Sequence, residues 1–575
     1  MENQKPFRIG LCMAGAVSAG AYTAGVMDYL LEALATWEKK RGEANVPSHR
    51  VVIPVMGGAS AGGMTALLTA STINNPIVPV DLPKPGKLYD EHPENKLYNS
   101  WVDLLEKDMF PRMLETTDIK KGEVISLLNS EFIDAVAKKM ICCDREQWCA
   151  TPAYFEAPVK VFTTLSNLEG FKYNVDFISA RHKSKYNMSV HNDYACFEVF
   201  DNVTTKKSDK GWIPLNFHTE ENLPTARDAA MATGAFPLGL KPRMLERDAK
   251  HVFEIPWLRP YFKDCETMAG QKIKTLNVDG GMINNEPFEK VRELLDEITT
   301  SKNPVDKEVL SQMNSNYNTF ENTVLMVDPF PSVDPAEFDF KSDLTSIIGK
   351  TLSAMTAQMR AKPVEYKAAM EMVDASQYII SPSREIRDEN NEMMGDPFGV
   401  TAIACGTLGG FGGFLSKEFR IHDYYLGRFN CEIFLRDYFT IPVDAIEQNP
   451  IFREGYSNVS INNFSSNATG EKRVQIIPIF TPPKPPGTFL MPKFSGGTNW
   501  PVLHEKDIDR FEKPLKRRIE KVIMNVADLG GITGALVWAG TQIVLNRMLA
   551  RKVLTVIKNS LYDWKLIKGY SRSKK

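Results

Sequence analysis

VVIPVMGGASAGGMTALLTA, Val51 to Ala70, runs from an apolar segment of strand length into a helical pattern through a turn made of small residues. Gly58-Ala59-Ser60-Ala61-Gly62 fits the G-x-S-x-G elbow, in which a sharp strand-to-helix turn lifts a serine hydroxyl above the sheet and aims a helix N-terminus at the reacting carbonyl. The flanking Gly58 and Gly62 have a steric reason. Such a turn strains the serine backbone, and the neighbouring strand and first helical turn leave no room for side chains. The strand before and the helix after favour an elbow over a chance match.

Outward from this elbow, the first 330 residues repeat β-run, loop and helix, the pattern of an α/β fold with a mainly parallel sheet covered on both faces. Strands are expected at Phe7 to Met13, Val51 to Met56, Val159 to Leu165, Ile273 to Val278 and Thr323 to Val327, with helices at Tyr22 to Trp37 and Met64 to Ala70. Five prolines between Asn74 and Asn95 mark a surface excursion expected to flank the active face. Lys341 to Met372 is helical in pattern. Ala404 to Leu415 interleaves glycine with Phe and Leu, which suits a closely packed helix or a pocket wall better than a linker. Val474 to Phe480 offers one more strand, and Thr481 to Gly487 is a proline-rich linker. The resulting domain reading is a catalytic unit at 1–340, an extension packed on it at 341–480, and a linker with a helical, basic region at 481–575.

With 43% hydrophobic and 24% charged residues and a net charge of −2 over 575 residues, the chain reads as soluble, and nothing in its overall charge suits nucleic acid. Its N-terminus enters a β-run with no basic and apolar leader pattern, and eight scattered cysteines fit a reducing compartment, so a cytoplasmic protein is expected. Cys142, Cys143 and Cys149 lack zinc-site spacing, and no dense acidic calcium loop is present; no metal or cofactor is expected.

A serine hydroxyl needs a base to become a nucleophile at neutral pH. None of the eight histidines follows a clear core strand in a turn, but Asp279 does, in Lys272-Ile-Lys-Thr-Leu-Asn-Val-Asp279-Gly280-Gly281. An ordinary aspartate, with a pKa of about 3.9, is a feeble base unless its site is dry. Asp-Gly is also a common turn pair, so Asp279 is read equally as a base or as the start of a turn. The third element is the small-residue junction after the first strand, Gly10 to Tyr22, where backbone N–H groups can point inward as an oxyanion hole needs. A dinucleotide fingerprint there fails on spacing, and no G-K-[ST] phosphate loop exists.

Together, the glycine-rich first turn, G-x-S-x-G after the second strand and a late D-G-G resemble the patatin-like phospholipase family. Thr225-Ala-Arg-Asp-Ala-Ala-Met-Ala-Thr-Gly-Ala-Phe-Pro237 is similar to that family's small-residue block between nucleophile and aspartate. The resemblance implies a three-layer α/β/α sandwich and a lipid acyl hydrolase using a Ser60/Asp279 dyad, with Gly15 and Ala16 as oxyanion donors and Gly280 and Gly281 shaping the turn behind the aspartate. The family's first turn reads G-G-G-x-[RK]-G, whereas Gly15-Ala-Val-Ser-Ala-Gly20 has alanine in place of the cation. That departure leaves a catalytically inactive lipid-binding or assembly protein of the same fold as the second reading.

A lipid hydrolase needs a way onto a bilayer. Leu529 to Leu545 is uncharged over 17 residues, at the lower limit for a spanning helix. After it, Val553, Ile557, Leu561 and Trp564 share a helical face beside Arg551, Lys552, Lys558, Lys565 and Lys568. Peripheral contact of this basic C-terminal region with a membrane surface is expected in preference to core packing or a true span.

Overall fold

In a computed structural model, the residues described are 5–81, 89–103, 109–120, 122–178, 183–200, 208–262, 270–301, 305–331, 374–387, 392–483, 491–526 and 532–572. The helix expected at Lys341 to Met372, most of the proline-rich linker after Pro483, and the side chains of 532–545 lie outside them.

The central sheet comprises β1 (Phe7–Met13), β2 (Val51–Gly58), β3 (Phe155–Ile178), β4 (Lys183–Val199), β5 (Ile213–Leu215), β6 (Arg243–Asp248), β7 (Lys272–Asp279), β8 (Asn322–Val327) and β9 (Gln377–Ile380). Its order is β5-β4-β3-β2-β1-β8-β9, with β7 also on β3 and β6 on β7. The helices that matter for the site are α1 (Gly20–Lys40), α2 (Ser60–Ala70), α3 (Glu131–Met140), α4 (Leu223–Thr233), α5 (Phe288–Thr300), α6 (Lys417–Ile433), α7 (Glu512–Val526) and α8 (Ile532–Asp563).

Side-chain alternation along the strands creates the three layers. Phe7, Ile9, Leu11 and Met13 of β1 join α1, α2 and α4 in one core, while Cys12, Val55, Val324 and Met326 face the other layer, where α5 supplies Val291, Leu294 and Leu295. This is the α/β/α sandwich expected, with β1, β2, β3, β8 and β9 running parallel. The sheet is nevertheless mixed. β3 and β4 form a long antiparallel hairpin, and β7, expected within a parallel series, runs antiparallel to both β3 and β6.

That reversal positions the site. β2 and β7 share one edge of β3 and approach each other head-on: Gly58, ending β2, pairs with Thr163, and Asp279, ending β7, pairs with Leu165. The chain leaving β2 and the chain leaving β7 therefore meet over a few residues of one template strand.

The region beyond residue 400 adds to the same core. α6 crosses α1 so closely that a Cβ on Gly25 would strike the Tyr424 carbonyl and one on Gly427 the Tyr22 carbonyl. At this crossing the Arg428 guanidinium donates to Asp28 and to Glu32 Oε2. The described part of 74–95 packs there as well: Asn95 and the Val80 N–H donate to Asp28, and Tyr425 donates to the Asp81 carbonyl. It does not flank the serine as expected; the residues just after it, Ser100 and Trp101, do. Val474 contributes to a short strand, Arg473–Gln475, in a small separate sheet.

The C-terminal helix departs from the membrane-facing stripe. Ile557 and Leu561 are buried in the core, Trp564 packs against it, and Lys558 pairs with Glu505 and Asp509. Most of the face that was to meet lipid instead meets protein, because α8 lies against α7 and the segment before it, while Val553 stays exposed. Among the described residues no helix is long and apolar enough to cross a membrane.

Candidate active site

Ser60 opens α2 with φ of +50°, a left-handed conformation uncommon for a residue with a side chain. Two features hold it there. A Cβ on Gly62 would drive into the Met13 carbonyl at the end of β1, so only glycine permits the close approach of strand and helix. The Ser60 N–H donates to Thr233 Oγ1 at 2.9 Å, which ties the elbow to the last residue of α4. Gly58 and Gly63 adjoin the same contact.

Asp279 ends β7 with its backbone fixed on both sides: its N–H donates to the Ala235 carbonyl at 2.9 Å, and its carbonyl accepts from Ser166 Oγ at 2.9 Å. Gly280 lies so close to the Thr164 carbonyl that a side chain there would clash. The Gly281 N–H donates to Asp279 Oδ1 at 2.7 Å, which leaves Oδ2 to accept the Ser60 hydroxyl at 2.6 Å. Serine and aspartate, 219 positions apart in sequence, are thus in direct hydrogen-bond contact.

Burial pushes the Asp279 carboxyl up from 3.8 to about 7, against the smaller lowering effects of the Ser60 and Gly281 hydrogen bonds. This is the dry environment an aspartate needs to act as a base near neutrality. Among the described residues no histidine lines the site.

Gly15 and Ala16 lie where the first turn crosses the elbow; a Cβ on Gly15 would stand 3.0 Å from that of Ser60. The Gly15 N–H, however, donates to the Asn285 carbonyl at 3.1 Å, so it is occupied in this state. The next residue, Val17, lines the cavity at φ of +49°, a conformation especially unfavourable for a β-branched side chain. Behind it, Ser18 Oγ donates to the Gly410 carbonyl and accepts the Gly413 N–H at 2.9 Å. The glycine-rich segment therefore braces the first turn, and its Phe414 forms part of the pocket wall.

Ser60 and Asp279 line a common cavity. Met64 and Leu68 of α2, Phe132, Ile133, Val136 and Met140 of α3, Ala230 and Met231 of α4, and Trp101, Phe236 and Phe414 make its walls almost wholly apolar. Leu68 lies along α2 away from the elbow, and the Met140 carbonyl meets Ser71 just past the end of that helix, whereas Phe236 is partly exposed. An apolar pocket whose only carboxyl among the described residues sits against a serine at one end suits a substrate with an alkyl chain and a single reactive polar group.

Thr233, Asn285, Val17 and α3 were not singled out as site elements from sequence. Thr233 lay within the recognised small-residue block, but neither its spacing nor its type marked it as the acceptor for the elbow.

The patatin-like phospholipase family model matches residues 11–292. The chain is also 32% identical over 523 residues to the uncharacterized protein y4iI of Sinorhizobium fredii, covering 83% of this chain and 71% of that one. That shared region is longer than the family segment, so the similarity extends into the C-terminal part. Fold, matched segment and relative agree that the chain belongs to the patatin-like phospholipase family.

Proposed function

We propose that the protein is a lipid acyl hydrolase of phospholipase A type, acting from the cytoplasm at the periphery of a membrane. The observation that carries the reading is the 2.6 Å contact between Ser60 Oγ and an Asp279 carboxyl raised to about 7, at the polar end of an apolar cavity. Ser60 attacks the ester carbonyl while Asp279 takes its proton and passes it to the leaving alcohol; water then attacks the acyl-enzyme by the reverse proton route. The Ala16 N–H stabilises the oxyanion, and Gly15 joins it once its N–H leaves the Asn285 carbonyl. The basic C-terminal region would add only electrostatic contact, through exposed groups such as Arg551 and Lys552, since Ile557 and Leu561 are committed to the core.

A fluorophosphonate probe tests the nucleophile: wild type should label, and Ser60→Ala should not. Equal labelling of the two would remove the hydrolase reading. The occupied Gly15 N–H and the alanine in place of the family's cation favour the second reading, an inactive lipid-binding protein. Ester turnover that is lost in Asp279→Asn excludes it.

A further inference from the structure

Three segments beside the cavity mouth carry large apolar side chains into solvent. Phe236 and Leu238 follow α4, Ile125 and Leu127 precede α3, and Met524 and Val526 end α7. Leu238 is 80% exposed and the other five between 39% and 67%. Hydrogen bonds tie the segments together. The Leu127 and Leu128 N–H groups donate to the Leu238 and Gly239 carbonyls at 2.9 and 3.0 Å. Arg518 of α7 donates to the Leu127 and Ser126 carbonyls, and the Gly122 N–H donates to Asn525 Oδ1 at 3.1 Å.

Leu238 is doubly unfavourable where it stands. It is an apolar side chain in water on a backbone with φ of +63°, which Asn, Asp or Gly would adopt at lower cost. Contiguous exposed apolar surface is a feature of interaction sites. Its position identifies the partner: Phe236 belongs both to this patch and to the cavity wall, so whatever covers the patch is continuous with whatever fills the cavity. Exposed charges around it are of both signs, Lys120, Lys241 and Lys521 with Glu123 and Glu520, so attraction to an anionic partner is not the main force.

We propose that this patch is a membrane-docking face that inserts into the headgroup–acyl boundary of a bilayer and passes a lipid acyl chain over Phe236 into the cavity. The delivery step rests on the acyl-hydrolase reading; the docking step does not. Insertion by apolar side chains distinguishes this face from the basic C-terminal region, because it needs neither anionic lipid nor low salt.

The test is co-sedimentation of the full chain with phosphatidylcholine vesicles, with and without phosphatidylglycerol, at low and high salt. Wild type should bind pure phosphatidylcholine vesicles at high salt. The Leu127→Asp/Leu238→Asp pair should bind at least about tenfold more weakly, while turnover of a soluble short-chain p-nitrophenyl ester stays unchanged. Leu238→Asn, which suits the local backbone, should shift binding in the same direction and guards against a folding defect in the pair. Undiminished vesicle binding by both variants overturns the proposal. So does wild-type binding that requires phosphatidylglycerol and vanishes in salt, or a wild-type dimer that the variants dissociate. Loss of the hydrolase reading would show separately, as absent ester turnover in wild type with vesicle partition intact.

Discussion

At the residue scale, Asp279 has two consequences of opposite sign. Its ionised form is the base, so kcat/KM should fall about tenfold per pH unit below about 7 and level off above it. Asp279→Asn should remove this limb and lower the rate by roughly 10²- to 10⁴-fold. Stability runs the other way. The folded chain keeps the Asp279 proton up to about pH 7, whereas an unfolded aspartate releases it near 3.8. The fold therefore binds the extra proton between those values, and Asp279 makes stability decline as pH rises through that window. Asp279→Asn should be more heat-resistant than wild type at pH 8 and lose that advantage near pH 4, as thermal melts across pH would show. Equal pH dependence of melting in both proteins would contradict the raised pKa. Thr233 is a positioning residue by its bond to the Ser60 N–H. Thr233→Val keeps the shape but leaves a buried N–H unpaired, at a cost of about 1–3 kcal/mol to the elbow. We expect kcat to drop at least about tenfold with KM and the acid limb little changed, and Thr233→Ser to restore it; a KM effect alone would argue for a packing role.

At the scale of elements, α2 serves as nucleophile platform and pocket wall at once. Ser60, Ala61, Met64 and Leu68 line the cavity on one helical face, and eight residues at 1.5 Å each place Leu68 about 12 Å from the serine. Leu68→Phe should shorten the far end, lowering kcat/KM on long-chain p-nitrophenyl esters by at least about tenfold while sparing short ones. An unchanged chain-length profile would mean that the acyl chain takes another route. The elbow was legible because strand, small-residue turn and helix are all local signals, and β1, β2 and β8 were legible because burial on both faces makes them continuous apolar runs. β4 and β6 were not: Lys183–Val199 is polar for half its length, and Arg243–Asp248 alternates buried with exposed residues, five of which are polar or sulfur-bearing rather than β-formers. The direction of β7 has no local signature at all. Whether Asp279 was a base or a turn residue depended on that direction, which brings it head-on to Gly58 across β3. α3 was missed because its cavity face, Phe132, Ile133, Val136, Ala137 and Met140, reads equally well as an ordinary amphipathic helix.

At the scale of the whole molecule, residues past 400 belong to the machinery that holds the site. Ser18, one residue after the strained Val17, is clamped by Gly410 and Gly413, and Phe414 lines the cavity, so the later chain braces the first turn. The same later chain is anchored to α1 through Arg428, whose guanidinium neutralises the fully buried Asp28 and the neighbouring Glu32. Asp28 also accepts from Asn95, which makes this crossing a joint between three parts of the sequence. Arg428→Met would leave Asp28 without its cation in a dry contact, a loss of about 3–5 kcal/mol. In urea, the variant should show an earlier midpoint, and fluorophosphonate labelling of Ser60 should disappear together with the near-ultraviolet circular dichroism in both proteins. If labelling instead survives after the C-terminal tryptophans Trp500 and Trp564 have become solvent-exposed, the first 340 residues hold the active geometry by themselves, and the later chain is an appendage. The interdigitation of Gly25 with Tyr424 and of Gly427 with Tyr22 argues for the single transition, because neither helix can leave the other without opening the core that both share with β1.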